Sequence, residues 1–176
     1  MPGTASKLTA IMPLEKWVEL ENEVYEQSGL QASIFDADGI RITDNKQWAN
    51  RLCPAIKATD KGQSFICAVA HMNVAAQAKR LQKPVIEECD AGLVKLAVPI
   101  FVGGEFVGAF AACGLRMEDA EVDSFLVHKV AGIDEENVKS LSGDIAAIST
   151  SELNSLIDLI TARIEAALSE YNRAGS

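Results

Sequence analysis

The apolar and polar positions of the first third of the chain follow two different periods. From Leu14, apolar residues recur at helical spacing as far as Gly29, a residue that commonly ends a helix. Residues 30–43 then alternate apolar and polar positions around Asp38 and Gly39. This dipeptide tolerates the positive φ of a tight turn, so the pattern predicts a helix followed by a β-hairpin.

The next segment is predicted to be helical. Between Asn45 and Gln82 the chain is rich in Ala, Lys, Gln and Asn. Gly62 predicts a division into a shorter and a longer helix, with Ser64 as the N-cap of the longer one and Pro84 as its stop. We call the helices of this segment the inserted helices.

Three strand-like runs follow, at 84–89, 93–102 and 105–115. Gly103 and Gly104 join the last two runs, which is typical of a two-residue hairpin turn. The glycine and alanines of the third run predict a strand with a small inner face, which leaves room for something else to approach.

The rest of the chain predicts helices at about 118–131, 134–141 and 151–173. Together with the hairpin and the three runs, this order predicts an α+β fold. Its sheet has five strands, is mainly antiparallel, and is accompanied by the inserted helices and a long C-terminal helix.

Composition narrows the class of protein. The chain has 176 residues, of which 48% are hydrophobic, and this predicts one domain with a sizeable core. It carries 16 Lys and Arg against 25 Asp and Glu, a net charge of −9, so direct binding to nucleic acid is not expected. No apolar run reaches the roughly 18 residues of a membrane span. We predict a cytoplasmic protein whose four cysteines stay reduced, as core filler or as ligands.

The order of these elements and one cysteine motif resemble the PocR-type sensory domain, a relative of the PAS fold. The motif is the string CDAGLVKLAVPIFVGGEFVGAFAACG, which begins at Cys89 and follows Cys53 and Cys67 of the inserted helices. It contains the C-x-A-G-L segment, the Pro-Ile end of an apolar strand and the V-G step of the next strand. The DADG turn of the first hairpin fits as well but is shared by many PAS-like proteins.

The resemblance implies a cytosolic sensor for a small organic ligand that acts on a signalling partner or an output domain, often in transcription regulation. It divides the chain into a flexible arm at 1–12, a sensory domain at 13–148 and a signalling or dimerisation helix at 149–176. The expected protein is not an enzyme and has no membrane contact. Two alternatives are a cysteine-dependent enzyme and a zinc-stabilised interaction domain.

The resemblance also indicates candidate site residues, because PAS-like folds form their pocket between the sheet and the inserted helices. Cys53, Cys67 and Cys89 can converge there, with Cys113 as a fourth thiol. His71 lies four residues after Cys67 and shares its helix face. Cys53, Cys67, Cys89 and His71 would complete a tetrahedral zinc set, and a subset could hold haem. The alternatives are buried cysteines without a cofactor and a His71 that points to solvent.

The strand after Cys89 supplies the remaining candidates. Gly92 has no side chain, so the backbone can approach a ligand closely there. Lys95 marks one face of the strand as the solvent side, and alternation then predicts that Val94, Leu96 and Val98 line the pocket.

The C-terminal helix has a heptad-like apolar stripe, which predicts a homodimer through this helix. The stripe consists of Leu153, Ile157, Ile160, Ile164, Ala167 and Tyr171, broadened by Leu156 and Leu168. An amphipathic helix packed on its own domain is the alternative.

Overall fold

Four strands form one antiparallel sheet at the centre of the molecule. The computed structural model describes residues 3–175. The strands are β1 (Gln31–Asp36), β2 (Val85–Glu88), β3 (Val94–Val102) and β4 (Glu105–Cys113). Their spatial order is β1-β4-β3-β2 and every neighbouring pair is antiparallel. The predicted α+β class is confirmed, but the sheet has four strands where five were predicted.

Helices cover both faces of this sheet. They are α1 (Thr4–Ile11), α2 (Leu14–Ser28), α3 (Leu52–Lys57), α4 (Asp60–Gly62), α5 (Val69–Leu81), α6 (Ser124–Ala131), α7 (Glu135–Ser142) and α8 (Thr150–Ala174). A π-helical segment, Gln63–Ala68, joins α4 to α5. Two short parallel strands, β5 (Arg116–Met117) and β6 (Ala147–Ile148), form a separate pair. In the described part of the chain, no helix combines the length and the apolar character needed to span a bilayer.

The predicted fifth strand is missing because its residues make side-chain bonds elsewhere. The tight turn after β1 forms, but the returning chain makes only an isolated bridge between Arg41 and Phe35. The next residues bond to helix α2, where Thr43 Oγ1 donates to Glu21 Oε1 and Asn45 Nδ2 donates to Glu21 Oε2 at 3.1 Å. These bonds draw the segment away from the edge of β1 before a ladder can extend.

The inserted helices also differ from the sequence prediction. The break between helices falls at Thr59, whose Oγ1 accepts a hydrogen bond from Gly62 N at 2.9 Å. Ser64 lies inside the π-helical segment and caps nothing. Gly62 lies within helix α4, where a Cβ would be 2.3 Å from the carbonyl oxygen of Ile56. Close approach of two helical segments therefore explains this glycine.

The segment predicted as a flexible arm contains helix α1. Leu8 of this helix is fully buried, and Trp17 Nε1 donates to its carbonyl oxygen at 3.0 Å. Met1, Pro2 and Ser176 lie outside the described residues. The proposed division of the chain at 12 and 148 stays a prediction.

The main hydrophobic core lies between the sheet and helices α1, α2 and α8. We call this side of the sheet the core face; it carries Ile34, Val98 and Phe110, which are paired across β1, β3 and β4. The stripe of α8 that suggested a dimer packs into this core. Its buried members are Leu153, Leu156, Ile160, Ile164 and Ala167, and its half-buried members are Ile157, Leu168 and Tyr171.

Candidate ligand-binding site

The opposite side of the sheet, which we call the cavity face, carries small side chains. Ser33, Ala111 and Ala97 are paired across β1, β4 and β3 and therefore share this face. Ala97 packs against Val74 and Ala78 of α5, so the cavity face is the one covered by the inserted helices. Because these side chains are small, α5 packs closely against β3. Open space remains beside β1, at the other edge of the sheet.

That space is a cavity of about 530 Å³ between β1 and the segment 46–63. Small-molecule sites commonly measure roughly 300–1,000 Å³. Its walls are Gln31, Ala32, Ser33, Phe35, Gly39, Arg41, Lys46, Gln47, Trp48, Pro54, Lys57, Ala58 and Gln63. The walls combine aromatic surface with amides and cations, which is the composition of a site for a small polar organic molecule.

Buried polar atoms without hydrogen-bond partners concentrate around this cavity. Within the described residues, four buried side-chain nitrogen or oxygen atoms lack a partner, and three of them belong to Arg41, Gln47 and His71. Arg41 and Gln47 line the cavity, and the His71 ring lies 3.8 Å from that of Phe35, another wall residue. Buried polar groups in proteins are nearly always paired, so these atoms are exceptions. The atoms themselves have almost no accessible surface, but the Arg41 and Gln47 side chains that carry two of them line the cavity.

His71 is buried beside two lysines. Burial lowers the pKa of its imidazole to about 4, and the charges of Lys95 and Lys57 act in the same direction. The ring is therefore neutral at pH 7, with Nδ1 unpartnered. The solvent-facing alternative for His71 is thus excluded by its burial.

The cysteines do gather in one region. Cys53, Cys67 and Cys89 belong to one hydrophobic cluster, in which Leu52 and Leu93 are fully or almost fully buried. Cys113 lies near enough to contribute to the raised pKa of each of the other three. None of the four cysteines is among the cavity walls, so their part in a ligand site stays a prediction.

The thiols of Cys53, Cys67 and Cys89 are protonated at neutral pH. Burial raises the pKa of Cys53 to about 12, with nearby Cys113 adding to the rise, although a hydrogen bond from Asn50 Nδ2 at 3.3 Å opposes it. Burial is also the largest cause of the raised pKa of Cys67 and of Cys89. Since the thiolate is the nucleophile and the metal ligand, this setting does not activate any of the three.

No metal centre is assembled from these residues. Among residues 3–175, no three His, Cys, Asp or Glu side chains are grouped so that they could hold a metal ion. The predicted zinc or haem set of Cys53, Cys67, Cys89 and His71 is instead divided between two environments. The cysteines pack among alkyl groups, and His71 stacks on Phe35.

Cys67 and His71 lie on opposite sides of a helix boundary. Cys67 belongs to the π-helical segment and packs with the cysteine cluster, whereas His71 belongs to α5 and stacks on Phe35. The common face predicted for the two side chains stays a prediction.

Gly92 and three residues of β3 were predicted to line the pocket, but they lie elsewhere. Val94, Leu96 and Val98 are buried on the core face, where they pack with α1, α2 and α8. Gly92 has a φ of +86°, and a Cβ there would lie 2.6 Å from the carbonyl oxygen of Glu121. The close approach that requires this glycine is thus to the chain before α6.

Most of the residues that line the cavity have no distinctive sequence signal. Arg41, Gln47 and Lys57 lie in polar stretches that resemble any solvated surface. Trp48 is the exception, because a lone tryptophan among polar residues is unusual and marks a surface with a binding role.

An α+β fold with a cavity between its sheet and its inserted helices is consistent with a PAS-like sensory fold. The chain belongs to the PocR family: the sequence profile of the sensory domain found in PocR matches residues 10–170. The comparison with curated proteins gave no match. The resemblance found in the cysteine motif is therefore confirmed.

Proposed function

We propose that this chain is a non-enzymatic sensor that binds a small organic molecule in the cavity next to β1. The observation that carries the proposal is the cavity itself, whose walls combine the aromatic rings of Phe35 and Trp48 with the polar side chains of Arg41 and Gln47. Membership of a sensory-domain family supports it independently. The cysteines lie outside these walls, so the proposal gives them no reaction with the ligand.

The signal would leave through the sheet. Val94, Leu96 and Val98 lie on the core face and belong to the same cluster as Leu153 and Ile160 of α8. A ligand that shifts β1 and β3 on one side would therefore change the packing of α8 on the other. We infer that α8 passes this change to an output domain or a signalling partner.

Native mass spectrometry of freshly purified protein tests the proposal. The expected spectrum shows an organic mass retained by the native chain and lost after Trp48→Ala, which removes a cavity wall. Phe125→Ala is the matched control, because Phe125 is an exposed aromatic residue of α6 outside the cavity walls. A chain that retains no small molecule, and whose Tm does not change with any member of a metabolite collection, would contradict the proposal.

Two finer parts of the sequence prediction stay proposals. All four cysteines are free, which supports a reducing, cytoplasmic location.

The apolar stripe of α8 no longer supports the homodimer, because it is buried in the core of its own chain. Sedimentation at micromolar concentration tests it, and a monomer there would leave α8 acting within one chain.

A further inference from the structure

The charge of the cavity is opposite to that of the molecule. The chain carries a net charge of −9. Three cationic side chains, Arg41, Lys46 and Lys57, nevertheless line the cavity, and the wall residues described include no Asp or Glu. Positive charges concentrated in a concave site favour a negatively charged ligand.

Arg41 has hydrogen-bond donors to spare. Its Nε donates to Thr43 Oγ1 at 3.4 Å and its buried Nη2 lies 4.0 Å from Glu21 Oε2, while the side chain stays 21% exposed and lines the cavity. The carboxylate of Glu21 already accepts bonds from Ile34 N at 3.1 Å and from the side chains of Thr43 and Asn45. Glu21 therefore orients the guanidinium without using its donors, and the fork geometry of Arg suits a second carboxylate.

The other walls indicate what the rest of the ligand is. Lys57 Nζ lies 5.6 Å from the centre of the Trp48 ring, so a second cation is held at the aromatic wall. Phe35 and Pro54 add apolar surface. Gln47 adds a side-chain amide to the same walls, a group that can pair with a hydroxyl group of the ligand.

We propose that the ligand is a small organic carboxylate with a short apolar body, its carboxylate bound by Arg41 and assisted by Lys57. A hydroxyl on the ligand would donate to Gln47. This inference rests on the proposed sensory function and narrows it to a class of ligand. It also gives Glu21 the part of a positioning residue, since it touches Arg41 and not the cavity.

Fluorescence titration of the full chain tests the ligand class with matched pairs of probes. The pairs are lactate with lactamide, 2-hydroxybutyrate with 2-hydroxybutyramide, and mandelate with mandelamide. Trp48 reports binding because it is a cavity wall, and Trp48→Phe shows which part of the signal is its own. We expect at least one carboxylate to bind ~10-fold or more tightly than its amide, the fold-change of a charge-assisted hydrogen bond. Added salt should weaken that binding.

Charge-removing variants test the residues. Arg41→Gln is expected to weaken the preferred carboxylate about 10-fold or more and to leave amide binding unchanged. Arg80→Gln is the matched control, because Arg80 is exposed on α5 and outside the cavity walls. If Arg41→Gln does not fold, the exposed Lys57→Gln and its control Lys61→Gln give the same comparison, with a smaller loss.

Three results would overturn the inference. The first is a panel in which no carboxylate binds better than its amide. The second is a carboxylate whose affinity does not change in Arg41→Gln or Lys57→Gln. The third is a neutral molecule found bound to the purified chain. That last result would leave the proposed sensory function standing, so the two proposals fail separately.

Discussion

His71 is the residue whose environment most changes its chemistry. Burial lowers its imidazole pKa from 6.5 to about 4. As the pH falls, the unfolded chain takes up this proton before the folded chain does, so folding stability should decrease between pH 6.5 and pH 4. The expected loss from this one group is about 2 kcal/mol between pH 7 and pH 5. Urea unfolding at a series of pH values measures it.

The comparison variant for this titration is His71→Phe, which keeps a ring against Phe35 and removes the titrating group. Its stability should fall less than that of the native chain over the same pH range. Parallel pH profiles for the native chain and His71→Phe would show that His71 does not titrate as stated.

At this scale the cysteine motif identified the family but not the cavity walls. Cys53, Cys67 and Cys89 share one hydrophobic cluster, and their role at a ligand site stays a prediction. The π-helical segment that contains Cys67 was not predictable, since such a segment has no reliable sequence signal. Arg41 was missed because its side chain lies beside Glu21, which is remote in the sequence, and Thr43, whose hydroxyl is bonded to Glu21.

Among the elements, α8 is the one whose role differs most from the expectation. Ile160 is fully buried in the main core, whereas Ile157, three residues earlier, is half-buried. Ile160→Ala should therefore lower the free energy of unfolding by about 2–4 kcal/mol, because it removes core contacts and leaves a cavity. Ile157→Ala should cost less than half as much. Chemical denaturation monitored by circular dichroism gives both values.

The same packing changes what removal of this helix should do. Five residues of α8 are buried in the chain's own core, so a chain that ends at 150 would expose their partners on the sheet and on α2. We expect it to lose cooperative unfolding. A truncated chain that remains a folded monomer would instead support α8 as a separate signalling helix.

Elements with strong local signals were predicted well. Strands β3 and β4 follow from their apolar runs and from Gly103 and Gly104, both of which adopt positive φ in the turn. The second arm of the first hairpin has the same alternation, yet it makes only an isolated bridge. Its conformation depends on bonds to Glu21, 22 residues before Thr43, and alternation alone carries no information about them.

At the scale of the whole molecule, the sheet separates the cavity from the core. The chain at 44–50 forms neither a helix nor a strand and supplies three cavity walls, Lys46, Gln47 and Trp48. Its amides should exchange quickly with solvent in the free protein, because regular backbone hydrogen bonds are lacking there.

Ligand binding should therefore slow hydrogen exchange most strongly in 44–50 and more weakly in α8, on the other side of the sheet. Mass spectrometry of peptides from the free chain and from the chain with its co-purified molecule measures the change. The peptide that covers α7 serves as the internal reference, since α7 supplies no cavity wall. Protection confined to α7 and α6 would contradict both the binding site and the route to α8.

The carboxylate of Glu21 has a consequence for solubility. Strand β1 is at the edge of the sheet, and an edge with free amides is a template on which another chain can add a strand and start aggregation. Glu21 Oε1 accepts the Ile34 amide at 3.1 Å on that edge, close to where the predicted fifth strand would have paired. The carboxylate therefore takes the place of a neighbouring strand at this one amide, and we predict that it limits self-association.

This function of Glu21 is measurable apart from ligand binding. Glu21→Leu should increase light scattering on mild heating and reduce the soluble yield, because it leaves the Ile34 amide without its acceptor. Glu19→Leu makes the same change at an exposed position of α2 and should aggregate much less. Equal scattering from the two variants would mean that other groups protect the strand edge.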